Sequence, residues 1–425
     1  MRSREIYLVL SIGSFLRVCI SIWNGFWGPS IGADADATSF HKAASNLFSY
    51  PGPMNELSEF ANQSGNALAL HRNFAHGFHL LDHFYSQLLA RIYFISTDSL
   101  FIGSLFSVLI WAISAMVLIQ IMQLLEVEKS AQFKAVAIYS LLPSSILFTG
   151  VTLREPFQLL LVNLAMFSAL KVYLQKSIKF ALLLPALVFV MNKFHLSLFV
   201  LGIFIVLGLF TMMIIRKLGS CYLLKGIFIS SFIVLTAYFV LPRIGLSNLV
   251  PSGYAIEKEL TTAIDRYLSV GITFRTRTQF IDIIEINGVI DLLLFMPKHL
   301  FQYLFEPMPW RVSTVLDISV LLENLLRAAL IWKVLARIYH IQTQKRRIVL
   351  FTFISYIAFE SVWSIGTVNW GTAIRHHIPA MGLLIAAAFS YSSKQQKSIY
   401  SNPQKNFNTR IDYRKHNDIK ADYSN

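Results

Sequence analysis

Two acidic residues, Asp34 and Asp36, follow the first long apolar run of the chain in the stretch GADADATSFHKAA. A carboxylate beside a membrane can act as a general base that removes a proton from a hydroxyl group. Asp36, Phe40 and Ala44 are spaced four apart, so they share one face of a short helix that we predict over 37–48, with Asp34 in an extended stretch before it. The alternative role for Asp36 is a helix N-cap.

Cationic residues near the ends of apolar runs could hold a phosphate group. Arginine suits this role because its planar guanidinium makes two parallel hydrogen bonds to phosphate oxygens. Our candidates for phosphate binding are Arg154, Lys193, Arg275, Arg277 and Arg375. The RTR turn at 275–277 stands out because Phe274 and Phe280 would fix it at the membrane interface. The alternative for each residue is a juxtamembrane charge that contacts lipid headgroups.

Other polar residues could line a groove for substrate or acceptor. They are His41, Arg72, Glu155, Glu306, Trp310 and His376. The segment FEPMPWR, which contains Glu306 and Trp310, is equally well explained as a proline-rich interfacial turn with an anchoring tryptophan.

The segment HGFHLLDHF places His76, His79 and His83 near one face of a helix, together with Asp82. This spacing could hold zinc or manganese. An amphipathic helix at a membrane surface explains the same pattern, so we predict no metal site and no required cofactor, with a divalent cation as the open alternative. Glycine-rich phosphate loops, zinc-finger spacings and Ser/His/Asp triads are absent from the sequence, and nothing in it indicates ATP.

The composition indicates that these residues belong to a membrane protein. Hydrophobic residues make up 55% of the 425 residues and charged residues only 14%, with a mean hydropathy of +0.55. Soluble globular domains carry about 25% charged residues. The two cysteines, Cys19 and Cys221, lie in or beside separate apolar runs and define no disulfide framework.

Apolar runs of about 17 to 25 residues predict helices that cross the hydrocarbon core of a membrane. We predict an all-α polytopic fold with ten such helices, over 6–24, 100–125, 133–150, 156–174, 178–192, 195–215, 222–241, 314–336, 348–365 and 374–392. The first run is long, contains Arg17 and shows no convincing small-residue cleavage site. We therefore expect a membrane anchor there rather than a signal peptide.

The distribution of Lys and Arg predicts the orientation, since short cytoplasmic loops are enriched in positive charge. With both termini in the cytoplasm, most loop cations lie inside, so the net charge of +14 indicates topology and anionic lipid rather than nucleic acid. We expect an N-terminal membrane module over 1–241 with an external loop at 25–99 that carries short interfacial helices, an external or interfacial segment over 242–313, C-terminal transmembrane helices over 314–392 and a disordered cytoplasmic tail over 393–425.

Residues 289–305 are apolar enough to suggest an eleventh span. An eleventh crossing would place the basic QKRR segment and the C-terminal tail outside, against the charge rule. We therefore predict an interfacial or re-entrant helix on the outer face, interrupted at Pro297 and ended by the PMP sequence at 307–309. A true span is the alternative.

The order of these features resembles the GT-C superfamily of integral membrane glycosyltransferases, which includes protein O-mannosyltransferases and bacterial lipid A aminoarabinose transferases. In that family a first helix precedes a large external loop that opens with an acidic motif and a helix, here Asp34, Asp36, Phe40 and Ala44. The segment PSSILFTGVTLREP is similar to the end of the third helix in many bacterial members, and RHHIP resembles the start of their last helix. Ala37 departs from the family's Asp-Glu motif, and no large soluble domain follows the last predicted span.

The resemblance implies an inverting enzyme that transfers a sugar from a polyprenyl-phosphate donor to a glycan, lipid or protein acceptor at the outer face. It assigns the general base to Asp36, four residues before Phe40, and leaves Asp34 to position the acceptor or support a metal. The implied setting is cell-surface polysaccharide or glycoconjugate synthesis in a bacterial inner membrane.

Two other functions are compatible with the same residues. A polysaccharide polymerase or ligase would also use external arginines and acids on lipid-linked glycans. A lipid-linked sugar transporter or flippase would place its polar residues near the midplane of the spans. Apart from Arg17, Glu323, Arg327 and Glu360, the charged residues of the predicted spans lie near their ends, which disfavours transport.

Overall fold

The computed structural model describes residues 2–28, 34–49, 84–218, 277–280 and 289–391. Over these residues the chain is all-helical and contains no strands. In chain order the helices are α1 (Arg2–Phe26), α2 (Asp34–Phe48), α3 (Phe84–Ile95), α4 (Leu100–Leu124), α5 (Lys129–Leu141), α6 (Pro143–Thr149), α7 (Glu155–Gln175), α8 (Ile178–Phe194), α9 (Leu196–Leu218), α10 (Val289–Phe305), α11 (Val315–Ile338), α12 (Thr343–Ile365), α13 (Trp370–His376) and α14 (Met381–Phe389).

Five of the described helices are long and apolar enough to cross a membrane, namely α1, α4, α7, α9 and α12. Helices α5 and α6, which meet at a bend of 56°, count as a sixth if they form one span. The bend falls at Pro143, which has no N–H to continue the hydrogen-bond ladder of α5. These helices indicate a helical membrane protein, while the predicted number of ten spans is not reached in the described part of the chain.

The remaining predicted spans have different outcomes. The run at 178–192 forms α8, which has 17 residues and contains Pro185. The run at 314–336 forms α11, which is long but carries several charged residues and is not among the apolar candidates. The run at 374–392 is divided between α13 and α14, each too short to span. The run at 222–241 lies outside the described residues.

Two local predictions are wrong. Helix α2 begins at Asp34 rather than at 37, so Asp34 is not in an extended stretch and both acids lie in the first turn. The positive end of a helix dipole favours carboxylates at this position. Helix α10 runs without interruption through Pro297, and the buried side chains of Phe295 and Tyr303 hold it against the core on both sides of that proline.

The core is built around α14, whose residues from Gly382 to Phe389 are all buried. This helix contacts α4, α5, α7, α11 and α12. Its three consecutive alanines, 386 to 388, leave room for these neighbours to approach closely. Helices α1 and α4 also lie close together, because Gly25 faces Phe101 without a side chain between them.

Arg17 is a fully buried charge in α1, and its contacts are structural. Its guanidinium donates to Oγ1 of Thr149, Oγ of Ser145 and the carbonyl oxygen of Ser140, and it lies 3.5 Å from the ring centroid of Trp111. These bonds join α1 to α5 and α6. A buried arginine with this many acceptors is fully accounted for by its packing role.

Candidate functional site

Three charged side chains from distant parts of the chain meet in one place. Nη1 of Arg375 donates to Oδ2 of Asp36, and Nε of Arg375 lies 2.8 Å from Oε1 of Glu155. We call these three residues the Arg375 cluster. The structure thus brings together a residue expected to be catalytic, one expected to bind phosphate and one expected to line a groove.

Local structure explains how each member is placed. Asp36 lies in the first turn of α2, and Phe40 and Ala44, on the same face, are buried. The Phe40 ring packs edge-on against Tyr85 of α3 at 5.0 Å, which fixes α2 on the helix assembly. Glu155 is the first residue of α7, and Arg375 lies in the last turn of α13.

The members of the cluster differ in their exposure to solvent. The side chain of Asp36 is 47% exposed, that of Arg375 14% and that of Glu155 only 2%. Burial lowers the pKa of Arg375, but the charges of Glu155 and Asp36 outweigh this effect and raise that pKa above its usual value. Oε2 of Glu155 has no hydrogen-bond partner among the described residues. The cluster is therefore a fixed positive charge between a buried carboxylate and an accessible one.

Arg154 lies beside the cluster, with its guanidinium carbon 6.0 Å from the centroid of the Phe40 ring. Its charge also reaches His376, which follows Arg375 in the chain. Burial lowers the pKa of His376 well below its usual value, and the charges of Arg375 and Arg154 lower it further. His376 is therefore a neutral imidazole at physiological pH.

The hydrogen bonds of His376 define which ring nitrogen carries the proton. Nδ1 lies 2.9 Å from Oγ1 of Thr367, and this hydroxyl donates its own proton to the carbonyl oxygen of Trp363 at 2.8 Å. Oγ1 therefore accepts from Nδ1, which leaves Nε2 as a hydrogen-bond acceptor. The ring of Trp363 lies 4.3 Å from that of His376 and 4.4 Å from that of His195.

Sequence reasoning missed Thr367, Trp363 and His195. His195 lies in the segment MNKFH, which the sequence predicts as an outer turn, but its contact with Trp363 depends on packing between α9, which follows it, and α12. No spacing in the sequence identifies Thr367 as the partner of His376. Lys193, two residues before His195, is exposed. Its described contact is with the ring of Phe189, at 5.4 Å, and not with a residue of the Arg375 cluster.

A second group of predicted residues lies where 277–280 meets the start of α13. Arg277 contacts Oδ2 of Asp317, and Arg311 lies 3.2 Å from Oε2 of Glu306. The guanidinium of Arg311 also stacks 4.5 Å from the ring of Trp370. Both arginines are thus paired with acids, Arg277 at the capping box of α11 and Arg311 at the turn after α10.

Two further groove candidates have individual environments. His41 lies 2.9 Å from the hydroxyl of Tyr93 and 3.8 Å from a carboxylate oxygen of Asp98. Burial lowers the pKa of His41, although the charge of Asp98 acts in the opposite direction. Trp310 is 78% exposed, which is compatible with the predicted role of an interfacial anchor.

The rest of the predicted site lies outside the described residues. This holds for Arg72, Arg275, His76, His79 and His83, and for the side chain of Asp34, so their roles stay predictions. In the part of the chain that the structure describes, no group of three or more His, Cys, Asp or Glu side chains could hold a metal ion.

Comparison with known proteins identifies no relative of this chain. No protein-family model, curated protein or solved structure matches the chain.

Proposed function

We propose that this protein is an integral membrane glycosyltransferase that moves a sugar from a polyprenyl-phosphate donor to a hydroxyl acceptor. The Arg375 cluster carries the proposal, because it combines two carboxylates with a charged guanidinium in direct contact. Its position gives further support, since Glu155 opens α7, a helix long and apolar enough to cross a membrane. A lipid-linked donor is accessible at such a boundary.

In the proposed reaction the acceptor oxygen forms a bond to the anomeric carbon of the sugar. The bond from that carbon to the phosphate oxygen breaks, and the phosphate leaves with the electron pair. Asp36 takes the proton of the acceptor hydroxyl. Arg375 and the neighbouring Arg154 bind the departing phosphate, where a charge-assisted contact strengthens as negative charge develops.

Because Asp36 contacts the guanidinium of Arg375, binding of the donor phosphate to Arg375 would release Asp36 to act as the base. A donor phosphate that binds Arg375 competes with Asp36 for the same N–H groups. Asp36 can then turn to the acceptor, because its side chain is 47% exposed. Glu155 is 2% exposed and stays in contact with Nε, so it keeps Arg375 in place during the exchange.

The proposal includes a setting and an acceptor contact. We place the cluster on the outer face of a bacterial inner membrane, with both termini in the cytoplasm and a role in cell-surface polysaccharide or glycoconjugate synthesis. Nε2 of His376, which is free to accept, binds a hydroxyl group of the acceptor. No divalent cation is needed for these steps.

Glycan analysis of a deletion strain tests the proposal. We expect loss of one sugar from a lipid-linked or surface glycan, restored by the wild-type gene but not by Asp36→Asn. Asp98→Asn is the matched control, because Asp98 is another accessible acid near α2 whose described contacts are Ser45 and His41. An unchanged glycan profile in the deletion strain overturns the proposal. Loss of chain length, rather than of one sugar, supports the polymerase or ligase instead.

A further inference from the structure

His377 closes α13, and its imidazole ties this short helix to two others. Nδ1 lies 2.7 Å from Oε2 of Glu360 in α12, and Nε2 lies 3.1 Å from the carbonyl oxygen of Tyr303 in α10. The side chain of Glu360 is fully buried and that of His377 is 6% exposed. The pair therefore sits away from water, two residues beyond Arg375.

The donors and acceptors of this contact require a bound proton. A carbonyl oxygen only accepts hydrogen bonds, so Nε2 of His377 carries a proton. An ionised carboxylate and an unprotonated ring nitrogen both accept, and two acceptors do not approach to 2.7 Å without a proton between them. The pair thus holds one proton more than a neutral imidazole beside an ionised carboxylate.

Other titratable and charged side chains surround the pair. Among the described residues, the titratable and charged groups near the pair are Arg327, Tyr303, Tyr356, His376 and Glu323. Burial and, next, the charge of Arg327 lower the pKa of His377, so both oppose a charged imidazole.

A cavity of about 30 Å³ reaches the same place, with Ser144, Glu323, Arg327, Tyr356 and His377 among its lining residues. This volume has room for about one or two water molecules. The hydroxyl of Tyr356 is buried and has no hydrogen-bond partner among the described residues, so it is available to such a water. The cavity therefore leaves room for water beside His377.

We propose that Glu360 and His377 form a proton-binding site that holds the C-terminal end of α13 only while it is protonated. Without the shared proton the imidazole has one N–H for two acceptors, so it donates to Glu360 or to the carbonyl oxygen of Tyr303, and its other ring nitrogen makes a repulsive contact. Because α13 has seven residues, it depends on its end contacts. Its release moves Arg375 away from Asp36 and Glu155, so the state of the cluster follows pH.

Thermal and denaturant unfolding of the purified full chain in nanodiscs, between about pH 6 and about pH 9, tests this proposal. In the unfolded chain neither an imidazole nor a carboxyl retains its proton above about pH 7. The folded pair binds one proton more there, so stability falls as pH rises until the folded pair also releases it. The contribution is at most about tenfold in the unfolding equilibrium constant per pH unit.

Variants assign the pH dependence to the pair. Glu360→Gln supplies an amide N–H to Nδ1 without a titrating proton, so we expect it to lose this slope. Glu323→Gln, a change at the buried acid that lines the cavity, should retain the slope, because Glu323 accepts from Ser144 and not from a histidine. Equal slopes in wild type and Glu360→Gln overturn the proposal. If Glu360→Gln does not accumulate, His377→Gln, whose amide donates to an ionised Glu360, answers the same question by the same criterion.

Discussion

Arg375 holds the candidate site together, because one guanidinium is the partner of two carboxylates. We expect Arg375→Ala to lower the free energy of unfolding by about 3 to 5 kcal/mol, since it leaves the buried Glu155 unpaired. Denaturant unfolding in detergent measures this loss. Arg277→Ala is the matched control, because Asp317 keeps its bonds from the N–H groups of Ser313 and Thr314. Equal losses for the two variants would show that the burial of Glu155 has no special cost.

Asp36 and Asp34 differ in their predicted roles, although both lie in the first turn of α2. We expect Asp36→Asn to reduce sugar transfer by about two to four orders of magnitude, the usual range for a general base. The amount of protein in the membrane should stay near normal, because the side chain of Asp36 is 47% exposed. Asp34→Asn should have a milder effect. Transfer assays with purified variants decide between them, and a normal rate for Asp36→Asn with loss for Asp34→Asn would reverse the assignment.

At the scale of the element, α13 shows how a seven-residue helix can be fixed. Asn369 caps its first turn by accepting from the N–H of Thr372, and the N–H of Trp370 donates to the carbonyl oxygen of Thr278. His377 holds the other end. An isolated helix of this length is unstable in water, so these contacts decide whether Arg375 reaches its partners.

Helices α1 and α4 approach closely at Gly25, where a methyl group would lie 2.6 Å from Cβ and 3.1 Å from Cα of Phe101. We expect Gly25→Ala to cost about 1 to 3 kcal/mol of stability, because the two helix backbones must move apart. Thermal unfolding in detergent measures this cost. Phe15→Ala should have a smaller effect, because Phe15, in the same helix, is 66% exposed. A larger loss for Phe15→Ala would contradict the close approach.

At the scale of the whole molecule, the sequence predicts the long helices well. The run at 156–174 corresponds to Glu155–Gln175 and the run at 195–215 to Leu196–Leu218, because apolar length is a local property of the chain. The apolar length of the run at 374–392 does not predict its division into α13 and α14. It depends on the contacts of His377 and on the packing of α14 among five other helices.

The candidate site was partly predictable for a related reason. Charge and apolar runs place Asp36, Glu155 and Arg375 in three loops of the same predicted face. Their direct contact joins residues 339 positions apart in the chain, so it depends on how α2, α7 and α13 pack. Thr367 and Trp363 were missed because only the fold makes them neighbours of His376.

The topology makes a prediction for α10 and everything after it. We expect residues 289–305 not to cross the membrane, because an additional crossing would put the basic QKRR segment outside. Single cysteines introduced at 340–347, in a chain without its native cysteines, should react only with reagents that enter the cytoplasm. Labelling by an impermeant reagent from outside would mean that α10 spans the membrane and that the later helices are inverted.

The burial of α14 has a consequence for how the protein is made. The helices that surround α14, namely α4, α5, α7, α11 and α12, all precede it in the chain and leave the ribosome before it does. They must stay separated, or open again, until Gly382 can reach its place against Asn163 of α7. A chain that stops before Met381 leaves the space among these five helices unfilled.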